Sequence, residues 1–335
     1  MRYMDRRTFG ASAVAAIAGL AAGCSSSSST TQSSANPTSS AVDLSSVTLN
    51  IGDQKGTGAQ ALLTAAGLLS SLPFKANWAD FTSGPPMLEA MSSGSVDVGG
   101  VGDAPPVFAA SGGEGIVIVG ARVAVNGDQD AVLVPKSSSI TSPSQLKGKK
   151  IAVGNGSSAN YHLLTVLTKA GLTTKDVTIV NLQPAEALAA FTSGSVDAWD
   201  VWPPYVQQVE AEGAKAIATG ASYGSAYSYQ VASKTAVSDP SKAAALKSYL
   251  TTLNKAYSWA AANPDKWGAV WAKAAGLSQA IMDKAAAVDG QKPVAITSET
   301  ISSEQGLVDQ FYAAGLIPSK VDISGYITTQ FNDTI

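Results

Sequence analysis

Three turns in this chain carry residue types that can hold an anion without a metal or a cofactor. Gln54–Gly58 follows an apolar stretch, Thr82–Pro86 precedes a helical pattern at Met87, and Gly154–Ser158 precedes another at Ala159. A turn that opens a helix leaves backbone N–H groups without intrahelical acceptors, and the helix dipole adds partial positive charge there. Ser83, Ser157 and Ser158 add hydroxyl donors beside Gly84 and Gly156. Pro85 suits a first helical turn, where its missing N–H is not needed. In open α/β sheets such turns lie at the carboxyl ends of strands, where ligands bind. Three of them facing one cleft would hold a small oxyanion. Capping alone also explains Ser and Gly at any single turn. Lys55 beside Gln54 would add a full charge to the cleft, or else lies solvated at a strand end. No G-x-x-x-x-G-K-[ST] occurs, so none of these turns is a nucleotide phosphate loop.

An apolar cluster accompanies the polar turns. Trp199, Trp202 and Tyr205 lie within the run Asp197–Tyr205. A tryptophan beside an oxyanion turn would cover an alkyl or aryl group, and a hydrophobic plug between lobes is the competing reading. Asp197 and Asp200, and Asp103 in Gly102–Pro106, are poor anion ligands and better suited to orienting donors or holding Lys and backbone N–H groups. The one histidine, His162, falls inside a predicted helix, where packing explains it, and the one cysteine is Cys24. These counts exclude a disulfide framework and multi-histidine zinc chemistry, so no metal or cofactor is expected.

The elements that position these residues show themselves as an internal repeat. Residues 87–97, MLEAMSSGSVD, align with 187–197, ALAAFTSGSVD, and Ile51–Gly56 aligns with Ile151–Gly156 at the same offset. Each copy runs from an apolar stretch through a Gly-rich turn into a helical pattern. The period is too long for a solenoid and indicates two similar α/β lobes. Strands are expected at Val47–Gly52, Val96–Gly100, Gly115–Arg122, Ala131–Val134, Lys150–Val153, Val177–Asn181, Ala198–Val201 and Tyr229–Ala232, with helical patterns between them. Beyond Pro240 the pattern is helical, and Trp259, Trp267 and Trp271 are expected as core aromatics.

The chain has 335 residues, 45% hydrophobic and 14% charged, with a formal net charge of −3. It has enough apolar content for packed domains and no basic surplus, which argues against a nucleic-acid partner. Arg2, Arg6 and Arg7 precede an apolar stretch, Ala11–Ala22, too short for a membrane span. The small residues before Cys24 resemble a bacterial lipobox, and Arg6–Phe9 resembles a twin-arginine signal. Residues 1–23 therefore read as a signal peptide, Cys24 as the lipidated residue, and 24–46 as a flexible tether.

From about residue 47 to 325 the chain resembles the aliphatic-sulfonate-binding proteins of bacterial ABC importers, part of a wider group for nitrate, taurine and thiamine-precursor ligands. The strings that carry the resemblance include IGDQKG (51–56), FTSGPPMLEAMSSGSVDVGGVGDAPPVFA (81–109), LKGKKIAVGNGSSANYHLL (146–164) and LQPAEALAAFTSGSVDAWDVWPPY (182–205). The resemblance implies a periplasmic-binding-protein-like (type II) α/β fold. Its two lobes would be 47–131 with 232–335, and 132–231, joined by two crossover strands and closing on ligand. It places the oxyanion at turns matching Gln54, Ser83–Gly84, Gly102–Asp103 and Ser157–Ala159, with Trp199 near the ligand. Where the family more often has an acid before Pro-Tyr, this chain has Trp202-Pro203, which bears on the organic group accepted. The implied protein is an exported, lipid-anchored, monomeric carrier of an alkanesulfonate. Its partners would be an ABC permease and the permease's ATPase. Taurine, nitrate or a thiamine precursor is the alternative ligand, and a desulfinase-like enzyme the alternative class.

Overall fold

The repeated segment folds into the same unit twice. A computed structural model describes residues 42–54, 58–125, 129–223, 227–288 and 290–335. The signal peptide, Cys24 and most of the tether lie outside the described residues, as does Lys55. The first copy runs β1 (Thr48–Gln54), α1 (Ala59–Ala65), β2 (Lys75–Phe81), α2 (Gly84–Ser92), β3 (Val98–Val101), α3 (Ala104–Ser111) and β4 (Ile116–Ala124). The chain then crosses to β5 (Ala131–Val134). The second copy follows as β6 (Lys150–Val153), α4 (Ser158–Lys169), β7 (Thr178–Asn181), α5 (Pro184–Thr192), β8 (Ala198–Val201), α6 (Tyr205–Ala211) and β9 (Lys215–Thr219). A short α7 (Gly220–Tyr223) leads back to β10 (Tyr227–Ser233) and α8 (Lys234–Ser238). Helices α9 (Pro240–Ala262), α10 (Pro264–Ala275) and α11 (Gln279–Val288), strand β11 (Gln291–Val294) and α12 (Ser298–Ala313) complete it.

The two sheets are ordered β11-β4-β10-β3-β1-β2 and β7-β6-β8-β5-β9. In each, three parallel strands from one copy of the repeat meet an antiparallel strand that has crossed from the other half. Strand β10 enters the first sheet between β3 and β4, and β5 enters the second between β8 and β9. Ala131 therefore belongs to the second sheet and Tyr227–Val231 to the first, a few residues away from boundaries at 131/132 and 231/232. The two crossings touch where the Gly220 N–H donates to the Asp130 carbonyl at 2.7 Å. Strands β2, β9 and β11 were absent from the sequence reading. β2 and β9 sit at sheet edges and carry half-exposed, charged residues instead of an apolar run.

The conserved spacing of the repeat has a physical basis at its Asp. Asp97 accepts from the Asn50 N–H at 2.9 Å, and Asp197 accepts from the Lys150 N–H at 2.8 Å. Each carboxylate thus pins the start of its own β3 or β8 to β1 or β6. Gly94 and Gly194 hold the left-handed turn before it, at φ 83° and 73°. Helix α2 can lie close on the first sheet because Gly52 and Gly99 have no side chains. A Cβ on either would come within 2.5 Å of the Met87 sulfur. Trp271 is fully buried between the C-terminal helices and the first sheet, stacked on Trp267 at 5.0 Å, as expected of core aromatics.

Candidate ligand-binding site

A cavity opens between the carboxyl ends of the two sets of parallel strands, where β1 and β3 face the start of α4. Its volume is about 140 Å³, room for a small organic molecule. Gln54, Gly84, Gly102, Asp103, Ser157, Ser158 and Trp202 line it.

The helix starts do not contribute equally. At α1 the seat is already filled. Asp53 accepts from the N–H groups of Gln54 and Ala59 through one oxygen, at 3.0 and 2.8 Å, and of Gln60 through the other at 3.0 Å. A Cβ on Gly58 would fall 2.3 Å from this carboxylate. The first turn, expected to bind ligand through its backbone, instead binds an aspartate of its own chain. Burial pushes the Asp53 carboxyl up, and the three N–H groups pull it back. At α3, Asp103 accepts from the Ala104 N–H at 2.7 Å, and Pro105 and Pro106 have none to offer. Asp103 therefore caps a helix, as its residue type suggested. At α2, Pro85 and Pro86 lack N–H groups, so Gly84 carries the remaining first-turn donor. At α4, the Ser157 hydroxyl accepts from Asn160, which leaves Ser158 and Ala159 as the first-turn N–H groups without an intrahelical acceptor. The Gly156 N–H is taken by the Asn160 side chain at 3.0 Å. The Ala159 side chain is buried in the second lobe, so its backbone alone can serve a ligand.

Ser83, buried at the head of α2, and Thr82 both donate to Oε1 of Gln183 at 2.9 Å. Gln183 is the N-cap of α5 and the repeat partner of Ser83. The two equivalent caps therefore meet across the cleft and tie one lobe to the other. Gln54 donates to the Gly100 carbonyl at 2.9 Å and so helps form the cavity floor.

Behind the α4 start lies a buried acid–base cluster. Ser158 Oγ donates to Asp130 at 3.2 Å. Nδ1 of His162 faces both Asp200 oxygens at 2.9 and 3.0 Å, a hydrogen-bonded pair that shares one proton. Burial opposes a charge on His162, but Asp200 in contact and Asp130 beyond it hold its pKa up at about 9. Burial pushes the Asp130 carboxyl up to about 6, against the pull of His162 and Ser158. The sequence reading of His162 as a packing residue is correct in place, since it is fully buried and does not line the cavity. Its Asp200 partner was not foreseen.

Of the expected residues, Ser83, Pro85, Gly156, Ala159, Asp197 and Trp199 do not line the cavity. Trp199 is 1% exposed and packs against Phe191 and Tyr205 inside the second lobe. Asp197 sits at the opposite end of β8, holding Lys150. Side chains alternate across a strand, and only the residue leaving its carboxyl end can reach the cleft. That residue is Trp202, which lines the cavity together with Pro203.

Arg122 was missed. It ends the apolar run of β4, lines the cavity and is 6% exposed. Its signal in the sequence is that it is the one arginine after Arg7, in a body that otherwise uses lysine. Only pairing of β10 between β3 and β4 brings it to the cleft.

Two α/β lobes, crossover strands and a donor-lined cavity between them define the type II class of periplasmic binding proteins. Within that class the chain belongs to the NMT1/THI5-like family, whose model matches residues 83–267. A protein of Escherichia coli (strain K12) named for binding aliphatic sulfonates is 33% identical over 84% of this chain and 89% of its own. The alkanesulfonate-binding protein SsuA from Xanthomonas axonopodis pv. citri, solved with MOPS bound, superposes with a TM-score of 0.79 at 32% identity. The match covers 84% of this chain and 98% of that one. The desulfurization enzyme DSZB shares the fold alone, with a TM-score of 0.61 at 15% identity over 85% and 97% of the two chains.

Proposed function

We propose that this protein is the extracytoplasmic substrate-binding component of an ABC importer and that it takes an organic sulfonate in the interlobe cavity. The observation that carries this is that Gly84 and Ser158, whose first-turn N–H groups have no intrahelical acceptor, line one cavity. A sulfonate has three oxygens for such donors, and Trp202 offers the apolar face its organic group needs. The SsuA relatives, named for the same chemistry, support the reading. Closure of the lobes on the ligand, with Gln183 latching onto Thr82 and Ser83, would present one surface to a permease and its ATPase.

Binding without catalysis is the better fit for the cleft. The described cavity lining holds no histidine, and the chain's single cysteine is Cys24, ahead of the tether. Export, acylation at Cys24 and a monomeric carrier complete the proposal. No described helix is long and apolar enough to cross a membrane.

The test is calorimetry of the purified protein against ethanesulfonate, taurine, nitrate and sulfate. A sulfonate is expected to bind at least tenfold more tightly than nitrate or sulfate. Tight binding of an inorganic anion with no binding of any sulfonate overturns the reading. Sustained sulfite release from a sulfonate or sulfinate would move the protein to the enzyme class. Metabolic labelling with a fatty acid, lost in Cys24→Ala, tests the anchor.

A further inference from the structure

Resting on the sulfonate reading, the structure points to a narrower ligand class. Arg122 is more than nine-tenths buried, and among the described residues no carboxylate pairs with it. Its Nε donates to Gln291 at 2.7 Å, and its guanidinium lies 4.5 Å from the centre of the Tyr257 ring. Both contacts hold the side chain in place, and neither neutralises it. Nη1 has no partner. Beside it Gln230, 3% exposed, has neither its amide nitrogen nor its amide oxygen bonded. Leaving a guanidinium and an amide buried and unsatisfied is costly unless a ligand completes them.

Both side chains lie over Gly100. A Cβ there would fall 2.8 Å from Nε2 of Gln230 and 3.8 Å from Nη1 of Arg122. Two residues along, a Cβ on Gly102 would fall 2.8 Å from Cβ of Ser158, at the N–H groups of α4. Gly102 is the first residue past the end of β3, and positions two apart in a near-extended chain are separated by roughly 6–7 Å. One cavity thus contains two donor groups at that spacing: backbone N–H groups at one end, and a guanidinium with an amide at the other. A simple alkanesulfonate has an acceptor for only one of them.

We propose that the preferred ligand is a sulfocarboxylate, with its sulfonate on the α4 and α2 N–H groups and a carboxylate, two or three carbons away, on Arg122 and Gln230. A planar guanidinium matches a carboxylate better than it matches an alkyl tail. Arg122 is the one cationic side chain among the described lining residues. Asp53, which shares the cavity, is already held by three N–H groups.

The test is titration calorimetry of the purified protein with 3-sulfopropionate, propane-1-sulfonate and propionate. 3-Sulfopropionate is expected to bind at least 30-fold more tightly than propane-1-sulfonate, with propionate weakest. In Arg122→Gln the ratio between the first two should fall below threefold, while propane-1-sulfonate changes less than threefold. Equal binding of the two sulfonates by the unaltered protein overturns the inference and leaves the sulfonate reading standing, whatever the variant's folding. Equal weakening of both by Arg122→Gln also overturns it, since Arg122 would then hold the sulfonate itself. Absence of binding by every sulfonate removes both readings together.

Discussion

Trp199 and Trp202 are three positions apart and have different jobs. Trp199 is enclosed by Phe191 and Tyr205, so Trp199→Ala should destabilise the fold by about 3–5 kcal/mol, read from denaturant midpoints. Trp202→Ala should cost little stability. It should weaken hexanesulfonate at least fivefold more than methanesulfonate, because only the longer ligand reaches an aromatic wall. The reverse pattern would put Trp199 back at the ligand. Asp130 gives the site a pH dependence. Its carboxyl, held up at about 6, bonds Ser158, whose N–H is one of the proposed anion donors. A bound anion beside it favours the protonated form, so binding takes up a proton. Affinity should therefore be highest below pH 6 and fall as pH rises through 6 towards 8, by roughly three- to tenfold. Asp130→Asn should flatten that profile, measured by calorimetry across the range.

The helices and strands of the two halves correspond one to one, yet their caps have diverged. In the first copy Asp53 stoppers α1, and in the second Val153 takes that position and leaves α4 open to ligand. Only one of the two equivalent helix starts can therefore seat an anion. The repeated aspartates also differ in load. Asp97 holds the Asn50 N–H and the Lys242 ammonium at 2.7 Å and is 3% exposed, whereas Asp197, at a more open edge, holds only the Lys150 N–H among the described residues. Asp97→Ala should cost about 2–3 kcal/mol and Asp197→Ala about 1 kcal/mol, compared by urea unfolding. Neither should change which sulfonates bind, because both lie at the strand ends away from the cavity.

Across the whole molecule, the cleft depends on how closely the lobes approach. Gly102 leaves the first sheet opposite Ser158 of the second lobe, and a Cβ would come within 2.8 Å of the Ser158 Cβ. Gly102→Ala should therefore hold the lobes slightly apart. Ligand affinity should fall by roughly tenfold, about 1.4 kcal/mol, with little loss of thermal stability. Small-angle scattering of the ligand-saturated variant should show a larger radius of gyration than the parent. An unchanged radius would mean that Ser158 moves aside instead.

The repeat, the two-lobe class and the sulfonate family were legible in the residues, because helix starts, turn glycines and apolar periodicity are local properties. Gly84, Ser158 and Trp202, expected from local residue types, line the cavity. The sequence could not say which turns were already filled. Asp53 capping α1, Gln183 meeting Ser83, and His162 meeting Asp200 each join residues on different elements, and Arg122 reaches the cavity only through the swapped strand β10. Local chemistry determined what the chain could hold. Long-range packing decided which donors were left free and set the spacing between them.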